Sequence, residues 1–365
     1  MSSIEEKALK ILNILHEHKH ESYIVGGYVR DKIIGRASND IDICTSATPK
    51  QIMEIFPNTS SPNYGSINIV YKNTNFDITT FRKDIKYEDN RLPVKIKYIK
   101  SIKKDLLRRD FTINTICMDK DGNIIDYLKS KPDLEKRIIR TMGNPKYRLK
   151  EDVLRILRAI RFATILDFEL DPKVAHYLTE YAPLLKNLSF QRKKQELDKI
   201  FTNQNKEKGI KLLIDLQIAE HLDLSNLKDV TPCDDLIGIW AQLNVDDIYP
   251  FTKVEKNQMK QIRELLKLDI EDSYNLYKYG LYTSTVVYQI KNKNISKLNK
   301  IYNELPIHSI KEIEINGKEI ANILNKTPGD YIKAIMSDLE KEIIYKRLSN
   351  NKETLEKYIL ENYRK

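Results

Sequence analysis

The sequence predicts an α+β N-terminal domain followed by an all-α remainder. Three observations carry this. Up to about residue 140 short β-branched runs alternate with helical stretches. Beyond that point nearly every apolar residue falls at helical spacing. A length of 365 residues allows roughly two or three domains and a substantial core.

Taken in order, "SSIEEKALKILNILHEH" places Ile4, Ala8, Leu9, Ile11, Leu12 and Leu15 on one helical stripe, with Glu5 and Glu6 in the first turn. It lacks the apolar block and cleavage site of a signal peptide. "SYIV" reads as a strand, "YVRDKII" as a helix, "IDICT" as a strand, and "PKQIMEIF" as a helix with Pro49 in its first turn. "INIVY" and "FDITTFR" then form a hairpin around "KNTN". The helical part begins with "EDVLRILRAIRFATIL", read as one helix. "DPKVAHYLTEYAPLL" follows, capped by Asp171 and opened by Pro172, then "SFQRKKQELDKIF" and "EKGIKLLIDLQIAEHL". Charge clusters such as "NQNKEKG" and "KNKNISKLNK" set joints near residues 205 and 290. No fixed-period repeat or low-complexity linker interrupts the chain.

Composition narrows the function classes. With 41% hydrophobic and 31% charged residues and no apolar run near the roughly 18 residues of a membrane span, a cytoplasmic protein is expected. Cys44, Cys117 and Cys233 are far apart and lack metal-type spacing, which predicts buried thiols in a reducing compartment. The histidines offer no zinc-binding set. A net charge of +10 favours a polyanionic partner without naming one, since the Lys, Ile and Asn richness also fits nucleotide bias in the genome.

The informative stretch is "NDIDICT". In a strand, side chains alternate between faces, so Asp40 and Asp42 point one way while Ile41 and Ile43 enter the core. Two carboxylates side by side repel unless a cation lies between them, which makes Asp40 and Asp42 candidate ligands of a divalent metal. In "NFDITTFR", Phe76, Ile78 and Thr80 share one face, and Asp77 on the other face can complete the acid set. Just upstream, "YIVGGYVRDKIIGR" runs from a strand through Gly26-Gly27 into a helix. Paired glycines let the backbone approach a ligand, the helix start offers free N–H groups to phosphate, and Arg30 in its first turn would face the same anion. Strand, Gly-Gly, helix and an Asp-x-Asp strand together resemble the active-site core of the nucleotidyltransferase superfamily, and the resemblance implies a triphosphate cradle beside a metal pair. Two divalent ions roughly 4 Å apart would activate an attacking hydroxyl and bridge the phosphates in an in-line displacement, and magnesium suits the oxygen donors.

Two further segments carry charge in an ordered pattern. "RRDFTINT" contains Arg108, Arg109 and Asp110, a set suited to phosphate and sugar contact. In "EDVLRILRAIR", Asp152 and Arg155 lie three apart, with Arg158 and Arg161 continuing the spacing. A helical ion pair is the ordinary meaning of such a pattern. The pair also has the right polarity to select bases: cytosine and adenine present an amino donor beside a ring-nitrogen acceptor, so an Asp accepts from the first and an Arg donates to the second. Uracil and guanine would meet acceptor with acceptor and donor with donor.

These segments, with "INGKEIANIL" and "PGDYI" near the end, resemble one family over nearly the whole chain: the class II tRNA nucleotidyltransferases, or CCA-adding enzymes, to which bacterial poly(A) polymerases are close. The resemblance implies an elongated head, neck, body and tail over residues 1–140, 141–205, 206–290 and 291–365. It implies template-independent addition of C, C and A to the 3′ end of tRNA from CTP and ATP, with Mg2+ as cofactor and pyrophosphate released. Asp40, Asp42 and Asp77 would be catalytic, and Gly27, Arg30, Arg109 and Asp110 would hold the nucleotide, Asp110 reading its ribose. Asp152 and Arg155 would read the base, and Arg158 and Arg161 would add contacts. Where the family usually has Ala after the Asn of "RRDFTIN", this chain has Thr115, from which no consequence is expected. Residues 81–93 resemble the flexible loop that CC-only enzymes lack, whereas A-only enzymes keep it; poly(A) polymerases usually carry a longer basic extension. A catalytically silent RNA-binding relative would have lost the carboxylates. In the tail, Lys311, Lys318, Lys326 and Lys333 would meet tRNA phosphates, which position without reading sequence.

Overall fold

The computed structural model describes residues 3–364 apart from 58, 61, 63 and 88–92. Residues 88–92, in the segment resembling the flexible loop, therefore lie outside the described residues. The chain divides into two compact units, 1–227 and 228–365.

The first unit opens with α1 (Ile4–Glu17), whose N-terminus is closed by a capping box between Ser3 and Glu6 and whose Ala8, Ile11, Leu12 and Leu15 are buried. There follow β1 (Ser22–Val25), α2 (Gly27–Ile33), β2 (Asp42–Thr45), α3 (Pro49–Ile55), β3 (Ser66–Tyr71), β4 (Thr74–Thr80), β5 (Arg82–Tyr87) and β6 (Pro93–Tyr98). Next come α4 (Ile102–Leu106), β7 (Cys117–Met118) and β8 (Ile124–Ile125). The main sheet has the order β3-β4-β2-β1-β7-β8, while β5 and β6 pair as a separate ladder. Within the main sheet β2 and β4 run parallel, level at Asp42 with Asp77 and at Ile43 with Ile78. The β3–β4 hairpin turns at Lys72 and Asn73, both at positive φ (47° and 57°), the twist that a two-residue connection between strands favours. Val25, Cys44, Phe81, Ile102, Leu106 and Cys117 pack together beneath the sheet. All three cysteines are free and buried, and burial pushes the Cys117 thiol up to about 12, so it stays protonated and inert.

Helices take over after α5 (Lys131–Glu135) and the short parallel pair β9 (Ile138–Ile139) and β10 (Glu169–Leu170): α6 (Pro145–Glu151), α7 (Leu154–Leu166), α8 (Pro172–Tyr181), α9 (Phe190–Phe201) and α10 (Lys206–Asp215). Asp171 caps α8 by accepting from the backbone N–H groups of Lys173 and Val174. Two helix readings need correction. The stretch 151–166 is not one helix: Asp152 is extended (φ −140°, ψ 100°), and its Oδ1 accepts from the Leu154 N–H at 3.1 Å, so a short polar side chain competes with the helix backbone and restarts it. The stretch 207–222 also breaks. Helix α10 stops at Asp215, Gln217 sits at φ 55°, and only a 3-10 turn, Ala219–Leu222, follows.

The second unit contains α11 (Leu236–Leu243), α12 (Lys253–Leu266), α13 (Ser273–Ile290), α14 (Ile295–Asn303), α15 (Gly317–Leu324), α16 (Tyr331–Ile344) and α17 (Lys352–Tyr363). Tyrosine hydroxyls tie these helices to carboxylates. Tyr345 donates to Asp272 at 3.0 Å, and Tyr358 and Tyr363 both donate to Asp338, at 2.9 and 2.7 Å. Lys311, Lys318, Lys326 and Lys333 are exposed. Among the described residues no helix is long and apolar enough to cross a membrane.

Close helix packing in the first unit depends on Gly209 of α10. A Cβ there would lie 2.4 Å from Ile200 Cγ2 and 2.6 Å from Thr164 Oγ1. Gly209→Ala is therefore expected to destabilise the chain by about 1–3 kcal/mol through overpacking, read as a lower urea midpoint at unchanged slope.

Candidate active site

The site is built at the end of β1. Val25 leads into Gly26, whose φ of 85° disfavours any residue with a Cβ. A Cβ at Gly26 would sit 3.5 Å from Asp42 Oδ2 and 3.6 Å from Arg109 Nη1, and one at Gly27 would sit 3.6 Å from Arg30 Nη2. The glycine turn thus brings bare backbone against a carboxylate and two guanidiniums.

Strand alternation places the acids. Ile41 and Ile43 are 4% and 1% exposed, whereas Asp40, Asp42 and Asp77 are open to solvent. Because β2 and β4 are in parallel register, Asp77 lies directly beside Asp42 on the same face, and Asn68 of β3 donates to Asp77 Oδ1 at 3.2 Å. Crowding by protein raises the Asp42 carboxyl above its ordinary value; the negative charges of Asp40 and Asp77 add to the rise, and Arg109 and Arg158 oppose it. The face therefore carries negative charge on hard oxygen donors that Arg109 and Arg158 offset only in part, which fits a divalent cation. Among the described residues no three acidic, histidine or cysteine side chains converge closely enough to form a finished chelate.

The cations are arranged differently, each beside an acid. Arg30 is buried; its Nε donates to Asp31 Oδ1 at 2.8 Å and its Nη1 to Asn114 Oδ1 at 2.7 Å. Arg109 Nη2 is 3.6 Å from Asp105 Oδ2, and Asp105, wholly buried, also accepts from Arg108 Nε at 3.0 Å and the Arg82 N–H at 2.9 Å. Asp110 accepts from its neighbour Phe111 N–H at 2.8 Å, from Asn114 Nδ2 at 3.0 Å, and from Arg158 through both Nε, at 2.8 Å, and Nη2. Burial works against its charge, yet the Arg158 guanidinium and these hydrogen bonds hold its carboxyl well below the usual range.

Asp152 and Arg155 are neighbours, but not on one helix. Arg155 Nε lies 3.9 Å from Asp152 Oδ2 across the break before α7. The Arg155 guanidinium is also anchored elsewhere: Nη1 donates to the Arg148 carbonyl at 2.7 Å and to Glu151 Oε2 at 3.4 Å, and Nη2 to the Arg108 carbonyl at 3.3 Å. Arg161 turns away from the acids and donates to Glu196 of α9 at 3.0 Å. Sequence reasoning missed Asp31, Asp105, Asn114 and Glu196, the partners that fix these arginines. Asp105 stands four residues before Arg109, a helical ion-pair spacing that could have revealed it; Glu196, 35 residues from Arg161, left no local signal.

Comparison with known proteins bears on what this arrangement is. The poly A polymerase head domain family matches residues 22–140, a probable RNA- and SrmB-binding site of polymerase A matches 167–226, and a putative tRNA nucleotidyltransferase domain 2 matches 250–359. A CCA-adding enzyme of Bacillus pumilus is 32% identical over 383 aligned residues, covering 96% of each chain. The chain belongs to the class II CCA-adding enzyme family. A CCA-adding enzyme of Staphylococcus haemolyticus is 33% identical, with 98% of each chain covered. The crystal structure of the Bacillus stearothermophilus CCA-adding enzyme in complex with CTP superposes with a TM-score of 0.88 at 27% identity, covering 100% of this chain and 98% of that one. A Thermotoga maritima CCA-adding enzyme complexed with tRNA shares the fold, with a TM-score of 0.71 at 21% identity over 98% of this chain and 94% of that one. The tRNA nucleotidyltransferase family points to dependence on a divalent metal.

A carboxyl held below its unfolded value of about 3.9 adds stability that is present above that value and is lost as pH falls through its folded value. Asp110 is such a group. Asp110→Asn is expected to lose stability at neutral pH, by about 2 kcal/mol for its charge-assisted hydrogen bonds, and to lose less than the parent on acidification below about pH 4. Urea unfolding of both proteins across that range checks the sign.

Proposed function

We propose that this chain adds C, C and A to the 3′ end of tRNA from CTP and ATP, without a nucleic-acid template and with release of pyrophosphate. The observation that supports it best is the register pairing of Asp42 with Asp77, with Asp40 two residues before the strand begins, beside the Gly26–Gly27 turn and Arg109. In this reading Asp40, Asp42 and Asp77 gather at the reacting phosphate. Asp40 and Asp42 hold Mg2+, which would neutralise the phosphates and ease deprotonation of the RNA 3′-hydroxyl. The hydroxyl oxygen then attacks the α-phosphorus of the nucleotide as the bond to pyrophosphate breaks. Gly27, Arg30 and Arg109 border the phosphates, with Asp110 and Arg158 alongside. Positioning and charge neutralisation suffice for phosphoryl transfer, so no serine or cysteine nucleophile is needed.

Base choice falls to Asp152 and Arg155. Asp152 Oδ1 is engaged by the helix restart, which leaves Oδ2 to accept from the amino group of cytosine or adenine. Three hydrogen bonds use part of the five N–H donors of Arg155, so the side chain can stay anchored to the Arg148 and Arg108 carbonyls while donating to the base's ring nitrogen. Arg161, turned to Glu196, serves the nucleotide indirectly in this arrangement. The same reading assigns residues 1–140 to a head, 141–205 to a neck, 206–290 to a body and 291–365 to a tail that grips tRNA, and places the protein in the cytoplasm.

The deciding experiment supplies purified protein with a tRNA lacking its last three nucleotides, together with CTP, ATP or both, and sequences the products. Addition of CC with CTP alone and CCA with both is expected; a single A added only to CC-ended tRNA, or long A tracts, would replace this reading with A-only or poly(A) addition. Asp42→Ala should reduce incorporation to background while leaving tRNA binding intact, and normal turnover there removes the metal assignment. Asp152→Ala should weaken discrimination against UTP and GTP by about 10- to 100-fold, the equivalent of one charge-assisted hydrogen bond.

A further inference from the structure

Phe162 lies on α7, is 8% exposed, and belongs to no charge pattern in the sequence. Its ring is nonetheless where the cations of the site meet. The guanidinium carbons of Arg30, Arg158 and Arg161 stand 5.3, 5.3 and 4.5 Å from the ring centroid. Phe111, the residue after Asp110, packs edge-on against it at 5.7 Å and an interplanar angle of 80°. Arg30 comes from α2 of the sheet domain and the other two arginines from α7, so the ring is shared by side chains from both parts of the unit.

Three like charges around one point repel one another. Each arginine has its own acid on its outer side: Asp31 for Arg30, Asp110 for Arg158 and Glu196 for Arg161. On the inner side the negative face of the ring is what they share, and an aromatic ring attracts guanidinium within about 6 Å of its centroid. An aliphatic side chain of equal bulk would fill the same space without that attraction, and the guanidiniums would spread toward their carboxylates.

We infer that Phe162 is a positioning residue for the nucleotide's triphosphate, holding Arg30 and Arg158 at the spacing their phosphate contacts require. The inference rests on the assignment of those two arginines to nucleotide binding. Since the triphosphate is common to both substrates, loss of the ring weakens CTP and ATP equally and leaves choice of base untouched. In the same reading Asp152 and Arg155 make that choice at the break before α7 and in its first turn, and Arg155 is not among the cations on the ring.

The test compares Phe162→Leu and Phe162→Met, which keep bulk without a ring, and Phe162→Tyr, which keeps the ring, in steady-state incorporation on tRNA ending in C or CC. Thermal melts report folding in each case. The expected result is a KM for CTP and for ATP raised about tenfold in both the Leu and Met variants, with kcat changed less than about threefold, an unaltered preference over UTP and GTP, and a Tyr variant near the parent. A purely structural role would lower the melting point and the active fraction, hence apparent kcat, while KM stayed put. Parental KM values in whichever of the Leu and Met variants folds, or a Tyr variant as defective as they are, would overturn the inference. Should the unaltered protein fail to extend tRNA at all, the functional assignment falls instead, and the two failures are told apart by that control.

Discussion

The carboxylate of Asp110 accepts hydrogen bonds from the Phe111 backbone, from Asn114 and from two nitrogens of Arg158, and in doing so joins the sheet domain to helix α7. Asn114 extends the link by accepting from Arg30 at the start of the fold. A chain of polar contacts therefore runs from Asp31 through Arg30, Asn114 and Asp110 to Arg158. Every member is wholly or partly buried, so each hydrogen bond is strengthened by its surroundings and each lost partner is costly. The headings of Arg30 and Arg158 are set by this network, which adds direction to the distances that apolar packing fixes between the elements.

Charge around the site is divided unevenly. The arginines are neutralised in advance by Asp31, Asp105, Asp110 and Glu196, whereas Asp40, Asp42 and Asp77 share one face with partial relief from Arg109 and Arg158. Such a division suits a ligand carrying anionic phosphate and hard cations together. Preset cations need little reorganisation when an anion arrives, and the strained acid face gains when a cation does. Asp42 is held in place by the sheet around it, whose neighbouring Ile43 and Ile78 are wholly or almost wholly buried.

Much of this was legible from residue order alone. The strands at 22–25 and 42–45 and the β3–β4 hairpin follow from apolar alternation and turn chemistry. The exposure of the three aspartates follows from the same alternation. What escaped was whatever left the apolar spacing undisturbed. The break at Asp152 falls between apolar residues whose helical rhythm continues across it, so periodicity cannot register it, although an aspartate two residues before a helix's first turn is a known competitor for backbone N–H groups. The destinations of Arg155 and Arg161 escaped because their partners are backbone carbonyls and a glutamate on another helix, which no local pattern specifies. Of the cations at Phe162, Arg158 stands four residues before it on α7 and could have been paired with it by helical spacing, whereas Arg30 arrives only through the packing of α2 and has no trace in linear sequence.

The level pairing of β2 with β4 also governs how the chain can change in length. Side chains in a strand switch sides with every residue. One codon inserted or deleted within Thr74–Thr80 would turn Asp77 inward and expel Phe76 or Ile78, and the same edit within Asp42–Thr45 would spoil the match from the other side. In the links that flank α3, between Thr45 and Ser66, an extra residue alters the route of the connection without shifting either strand. A change of length in the links leaves the match between the two strands intact, whereas one inside either strand destroys it.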